Sequence, residues 1–269
     1  MTAYSPDPVE AARDAGALLV ARGLHKSFGG VRAVQDISLA IPRGAVFAVI
    51  GPNGAGKSTL LNLLSGIYRP DAGAMAIGGV DVTGLPAYRR VRHGIARTFQ
   101  KIRLFRHLSA IDNVVAGFHI HHDIPAWQYV FHGPSFRRGR ARCREEAARL
   151  LGFMGLERRA HVAAGALSYG EQRMLEIARA LATAPRLLMV DEPAAGLNSA
   201  EVEMLLERMQ MLRRDGVTLC IVEHNMDLVM GIADRILVID YGKYLFEGAP
   251  AEVQAHAGVI DAYLGGPKR

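Results

Sequence analysis

The stretch Gly51-Pro52-Asn53-Gly54-Ala55-Gly56-Lys57-Ser58-Thr59 sets three glycines, a lysine and two hydroxyls at the spacing of a phosphate-cradling loop. Backbone N–H groups at a helix start carry partial positive charge and lack partners within the helix. Glycines let that backbone wrap phosphate oxygens without Cβ clashes. Lys57 can reach the β- and γ-phosphates, Ser58 offers a hydroxyl to Mg²⁺, and Thr59 can contact phosphate. The chemistry expected here is binding of ATP with Mg²⁺. A phosphate-bound Mg²⁺ wants a carboxylate on an adjacent strand end, and Asp191 meets that need, with Glu192 directly after it. Two such acids can point in different directions. Asp191 can then serve the metal shell through water, while Glu192 faces the γ-phosphate and polarises the attacking water.

These residues need particular elements to position them. The apolar run Ala45 to Ile50 is a buried strand ending at Gly51, and a helix begins near Gly56 with Leu60, Leu61, Leu63 and Leu64. Strand, Gly-rich loop and helix is the context a phosphate loop requires. Leu187 to Val190 is a second buried strand, stopped by Pro193. A helix over Ser199 to Arg214 follows, with Val202, Leu205, Leu206, Met209 and Leu212 at helical spacing and Gly216 as its stop. Val217 to Val222, ending at Glu223-His224, and Ile236 to Ile239 are further strands. Gly94 to Phe99 is another, running into Gln100. Strands alternating with helices imply a largely parallel sheet covered on both faces. Leu18 to Ile41 predicts two strands joined by a turn at Gly29-Gly30. Residues 100 to 165 read as three helical stretches with a bulky loop from Ile124 to Gly139 holding Trp127, Tyr129, Phe131 and Phe136.

Composition narrows the class. The 269 residues, half of them hydrophobic, can bury one core, or one core with an inserted subdomain. No apolar run approaches the ~18 residues of a membrane span. The N-terminus, with Asp7, Glu10 and Asp14, lacks the pattern of a signal peptide, so a cytosolic protein is expected. Cys143 and Cys220 stand far apart without metal spacing and read as unpaired thiols. The net charge of +6 fits nucleic acid, an anionic membrane surface or nucleotide substrates. The densest basic run, Arg137-Arg138-Gly139-Arg140 with Arg142 and Arg144, reads as a solvated helix start or a partner-facing patch. His119, His121 and His122 lack partners for a metal set and read as a surface loop.

Leu167-Ser168-Tyr169-Gly170-Glu171-Gln172-Arg173 resembles the signature motif of ATP-binding cassette (ABC) proteins, with Tyr169 where that family most often has Gly and Glu171 before the Gln. Ser168 can cap a helix running from about Gly170 to Thr183, and the small Gly170 is expected to leave its N-terminus open to an anion. Leu187 to Pro193 resembles the family's second nucleotide motif. Phe28 is placed like the aromatic that stacks on adenine. Gln100 resembles the glutamine that senses Mg²⁺ and the nucleophilic water, and His224 the switch histidine at the γ-phosphate. Ala194 to Asn198 stands where the D-loop would be, with Asn198 where many relatives have Asp. The resemblance covers about Leu18 to Leu264. It implies a P-loop NTPase (RecA-like) α/β core with an antiparallel β subdomain and an inserted α-helical subdomain. Residues 1–16 read as a flexible polar tail and 100–165 as an inserted helical subdomain, and the resemblance makes 17–99 and 166–265 the nucleotide-binding core. It further implies ATP hydrolysis, with Ser168 and Gly170 closing over ATP held by a second subunit, either a copy of this chain or a paralogue.

Within that family, the segment 133–138 (Gly-Pro-Ser-Phe-Arg-Arg) resembles the long-form ATP-binding subunit of branched-chain amino-acid importers. So do 192–198, 223–230 and the tail 259–265. This implies separate membrane permeases, a periplasmic solute-binding protein acting through them, no nucleic acid, and a place on the cytoplasmic face of the inner membrane. Urea importers and the lipopolysaccharide-export ATPase are the alternatives. A soluble non-transport ABC ATPase fits less well, since neither a second cassette nor a long coiled coil is present. Phe105, Leu108 and Ile111 either help form the groove for a permease coupling helix, by resemblance, or belong to a plain amphipathic core segment.

Overall fold

The computed structural model describes residues 16–121 and 134–264. The tail expected over 1–16 lies outside them except for Gly16, as do His122, Trp127, Tyr129 and Phe131. In chain order the first half holds β1 (Ala17–Phe28), β2 (Val31–Pro42), β3 (Val46–Ile50), α1 (Lys57–Ser65), β4 (Ala72–Ile77), β5 (Val80–Asp81), α2 (Ala87–Arg92) and β6 (Ile95–Arg97). Then come α3 (Ala110–Phe118), α4 (Pro134–Phe153), α5 (Tyr169–Leu181), β7 (Leu187–Asp191), α6 (Ser199–Arg214) and β8 (Thr218–Val222). The chain ends with α7 (Met226–Ile232), β9 (Arg235–Asp240), β10 (Lys243–Gly248), α8 (Pro250–Ala255) and α9 (Ala257–Leu264).

β1 and β2 pair antiparallel as expected. The turn between them uses Gly29 and Gly30 with φ of 49° and 89°, left-handed backbone that glycine adopts most readily. The structure adds β4 and β5 to this hairpin, giving a four-stranded sheet in the order β2-β1-β4-β5. These two strands escape a reading by pattern because only Met75 and Ile77 are buried in β4 and both residues of β5 are exposed. The larger sheet has the order β10-β9-β3-β8-β7-β6. Its pairings are parallel except at the β9–β10 edge. Every residue of β3, β7 and β8 is buried, which is why these strands read as uninterrupted apolar runs. Side chains alternate between the two faces. Phe47 and Val49 pack with Leu60 and Leu64 of α1, while Ala48 and Ile50 pack with Val229 of α7 and with Val253 and Val259 of α8 and α9.

Residues 100–165 hold α3, α4 and short 3₁₀ turns, and Val114, Leu151, Met174 and Val190 share one core with the sheet. The bulky loop predicted from Ile124 to Gly139 is corrected at its end. Helix α4 begins at Pro134, where the ring's fixed φ and missing N–H are tolerated in a first turn. Arg138, Arg140 and Arg142 are exposed on it, as a solvated helix start requires, and Arg144 lies 3.4 Å from Asp112 on α3. Among the described residues neither Cys143 nor Cys220 forms a disulfide. Cys220 is fully buried mid-strand, and burial pushes its thiol up to about 12.

Arg90 is a structural device that composition does not reveal. It is 1% exposed and bonds only backbone carbonyls and a thioether. Nη1 donates to Leu63 (2.7 Å) and Leu64 (2.9 Å) in the last turn of α1, Nη2 to Thr83 (3.0 Å) and Nε to Leu85 (2.8 Å). Burial lowers its pKa to about 10. Arg90→Ala removes four donated bonds from that carbonyl cluster, in which Leu63 keeps only the Gly66 N–H (3.1 Å), and should cost about 3 kcal/mol, read as a lower urea midpoint at unchanged slope. A loss below about 0.5 kcal/mol would assign it the weight of a surface residue.

Candidate active site

Parallel strands in one sheet bring their carboxyl ends to one edge, and ligands bind in the crevice outside that edge. Here β3 ends before Gly51, β7 at Asp191, β8 before Glu223-His224, β9 before Tyr241, and β6 at Arg97, from which the chain runs to Gln100. Strand order thus gathers residues separated by up to 190 positions.

The loop Gly51–Thr59 enters α1 at Gly56, whose φ of 98° is left-handed. An added Cβ at Gly56 would stand 2.3 Å from the Ala33 carbonyl, and one at Gly51 2.1 Å from that of Ile239. These glycines therefore serve close backbone packing as well as phosphate access. The loop is braced from outside. Gly242 donates to the Ala55 carbonyl (2.9 Å), and Gln35 donates to that of Gly242 (2.7 Å). A cavity of about 510 Å³ opens above, lined by Asn53 to Thr59 and Glu192, with Val31, Arg32, Gln35 and Tyr241 along its sides. Phe28 does not line it. Its ring is 41% exposed and sits edge-on to Tyr68, 5.2 Å between centroids, because the Gly29-Gly30 turn presents Val31 and Arg32 to the loop instead.

Lys57 is buried. Its ammonium donates to the carbonyls of Gly51 (2.7 Å) and Pro52 (2.9 Å), so it already lies over the loop. Burial lowers its pKa, and the carboxylates of Glu192 and Asp191 oppose that shift.

The two acids diverge as expected. Asp191 is buried and accepts from Arg97 at 2.8 Å. Burial pushes its carboxyl up, and Arg97 pulls it back. Arg97 also donates to Ser65 and Asn62 of α1, and so ties the acid to the helix that starts in the phosphate loop. Glu192 instead faces the cavity, with a backbone φ of 45° that non-glycine residues rarely adopt. Gln100 Nε2 donates to Glu192 Oε2 at 2.8 Å, and His224 Nδ1 stands 3.9 Å from Oε1. The remaining Gln100 amide oxygen, the Ser58 hydroxyl and the Asp191 carboxylate are hard oxygen donors, the kind Mg²⁺ takes. Among the described residues no three His, Cys, Asp or Glu side chains cluster to hold a metal, so such an ion would need phosphate oxygens as well.

Pattern reading missed several supports. Glu223, fully buried, accepts from the N–H groups of Ala194 (2.9 Å), His224 (2.9 Å) and Asn225 (3.1 Å), fixing both loops beside Glu192. A charged residue directly after the apolar run of β8 was the available signal. Arg97 and Tyr241 left none, because their partners come from other strands.

Ser168 and Gly170 are not brought to this cavity. Ser168 caps α5 in a reciprocal box with Glu171. The expectation that Gly170 leaves the helix start open needs correction. Gly170 is buried, and the Glu201 carboxylate fills the space where a Cβ would stand, 2.2 Å from Oε1. Asn198 caps α6 in a second box with Glu201, so its amide serves the helix.

Comparison with known proteins places the chain in a family. Residues 34–195 match the family model for ABC transporters, and 245–268 match that for branched-chain amino acid ATP-binding cassette transporters. The chain is 42% identical over 249 residues to the high-affinity branched-chain amino acid transport ATP-binding protein BraF of Pseudomonas aeruginosa, covering 92% of this chain and 98% of that protein. Among solved structures it resembles an ABC-transporter cassette in its ADP conformation (TM-score 0.79, 28% identity, 93% and 99% of the two chains). It also resembles a dimeric cassette in a post-hydrolysis state bound to ADP and Pi (TM-score 0.74, 25% identity, 86% and 98%). By the match over 34–195 and the 42% identity to a transport ATP-binding protein, the chain belongs to the ABC transporter ATP-binding family.

Proposed function

We propose that this chain is the ATP-hydrolysing subunit of an importer for branched-chain amino acids. The observation that carries the reading is Glu192 facing the phosphate-loop cavity with Gln100 on one carboxylate oxygen and His224 near the other. The loop amides and Lys57 hold the phosphates of ATP, and Gln100 and Glu192 orient and deprotonate the attacking water. His224 stands beside the γ-phosphate as charge builds there. Ser58, Asp191 and Gln100, together with the phosphates, would hold Mg²⁺, which when bound would neutralise that charge. Phe28, outside the cavity as it stands, meets adenine only if the base extends past Val31. We keep the division into a core of 17–99 and 166–265 and a helical subdomain of 100–165.

In this reading Ser168 and Gly170 close over ATP bound by a second subunit, a copy or a paralogue. That explains why they lie off their own chain's cavity, and the dimeric ADP-bound relative supports it. ATP then joins the subunits and hydrolysis releases them. Among the described residues no helix is long and apolar enough to cross a membrane, so permeation is assigned to separate permeases, served by a periplasmic binding protein. The chain works on their cytoplasmic face. The match of residues 245–268 to the branched-chain cassette model supports this solute class over urea or lipopolysaccharide.

The test is reconstitution of the chain with its permeases in liposomes. Leucine, isoleucine or valine, delivered by the binding protein, should raise ATP turnover and drive uptake. Stimulation by urea alone would replace the solute class, and absence of any ATP turnover would overturn the enzymatic reading.

A further inference from the structure

Behind the cavity, α5 carries a buried ion pair, Arg173 with Glu176, 3.0 Å apart and 0% and 2% exposed. Both side chains also bond the backbone of one loop. Arg173 Nη1 donates to the Phe99 carbonyl (2.7 Å) and Nη2 to that of Gln100 (3.0 Å). Glu176 Oε1 accepts from the N–H groups of Phe99 (3.4 Å) and Arg103 (3.2 Å). This loop has no helix or strand of its own over 98–104, so its position rests on such contacts. It presents the Gln100 side chain to Glu192.

The same arginine reaches the first turn of α5. Nη2 also donates to Tyr169 Oη at 3.2 Å, and its guanidinium lies 5.8 Å from the Tyr169 ring centroid. The Tyr169 ring in turn covers Gly196, where an added Cβ would stand 3.0 Å from it. An unbroken line of contacts thus runs from Glu192 through Gln100 and Arg173 to the turn Ser168–Gly170. Buried ion pairs add little net stability compared with well-packed apolar residues. Stability alone is therefore a weak reason for one here, whereas a planar fork bonding two successive carbonyls is a geometric one.

We infer that Arg173, seated by Glu176, is a positioning residue that fastens the Gln100 loop to the start of α5, so that the groups around Glu192 and the Ser168–Gly170 turn shift as one body. The inference rests on the function proposed above. Its consequence is that the state of one nucleotide site reaches the turn that closes the next.

The test is a double-mutant cycle in the full chain with Gln100→Ala, Arg173→Gln and both. Turnover, KM for ATP, equilibrium binding of a fluorescent ATP analogue and Tm are measured together. Arg173→Gln should lower kcat roughly tenfold with KM and binding changed less than about twofold, and should add less than about twofold in the Gln100→Ala background. Arg173→Lys, which keeps the charge and loses the fork, should recover only part. Multiplying effects, or a kcat loss matched by weaker binding and lower Tm, would overturn the assignment. If Arg173→Gln does not fold, Glu176→Gln enters the same cycle with the same non-additivity expected and the same outcome against it.

Hydrogen exchange supplies a readout independent of turnover. In either variant, amides of the 99–103 loop and of the 168–171 turn should exchange faster together. Faster exchange in the loop alone would refute the coupling. Joint acceleration in a chain whose wild type shows no ATP turnover would instead leave the coupling standing and remove the ATPase reading.

Discussion

Glu192→Gln should lower ATP turnover by about 10³-fold while ATP affinity stays within about twofold. Glutamine matches the shape and keeps an oxygen for the 2.8 Å bond from Gln100, so the loop geometry survives. In the proposed mechanism what is lost is the base and its negative charge next to the attacking water. The left-handed backbone at residue 192, φ 45°, is no worse for glutamine than for glutamate, so stability should change little. With ATP present the variant should accumulate as a dimer, since the step that separates the subunits is blocked. Phosphate-release kinetics, calorimetry and size-exclusion chromatography check the three parts. Unchanged turnover would sink the assignment of Glu192 as the base.

Lys57→Ala acts on binding itself. The ammonium is buried, held over the loop by the carbonyls of Gly51 and Pro52, and poised where phosphates enter. Moving it from those carbonyls to phosphate exchanges neutral acceptors for charged ones, which are about twice as strong. Its removal should weaken ATP binding by roughly 30-fold or more, the scale of losing one partner of a desolvated charge pair. Equal affinity of variant and wild type by calorimetry would count against the cradle. The two variants separate the roles, because Lys57→Ala moves affinity and Glu192→Gln moves the chemical step.

The phosphate loop, the strands β3, β7 and β8, and the helix α6 were all legible in the residue order. Each is set by neighbours within a few positions. Apolar runs make buried strands, glycines allow left-handed turns, and the Asn198 box with Gly216 bounds α6 at Ser199 and Arg214, the limits its pattern predicts. Asp191 and Glu192 were read from their strand end and Gln100 and His224 through family order, and the strand ends set Gln100 and His224 beside Glu192, with Asp191 directly before it.

What only the tertiary structure decided is which distant groups meet. The order β9-β3-β8-β7-β6 is not chain order, so no local pattern shows that Arg97 reaches Asp191, that Glu223 holds Ala194, or that Arg173 holds Phe99 and Gln100. Burial made the same kind of decision at Gly170, which the Glu201 carboxylate covers, and turn geometry left Phe28 outside the cavity. Local chemistry thus determined that this chain cradles a phosphate. The long-range packing of its sheet determined how the acid, the amide and the histidine are held over it, because bonds between charged groups and backbone carbonyls form only where the fold removes both from water.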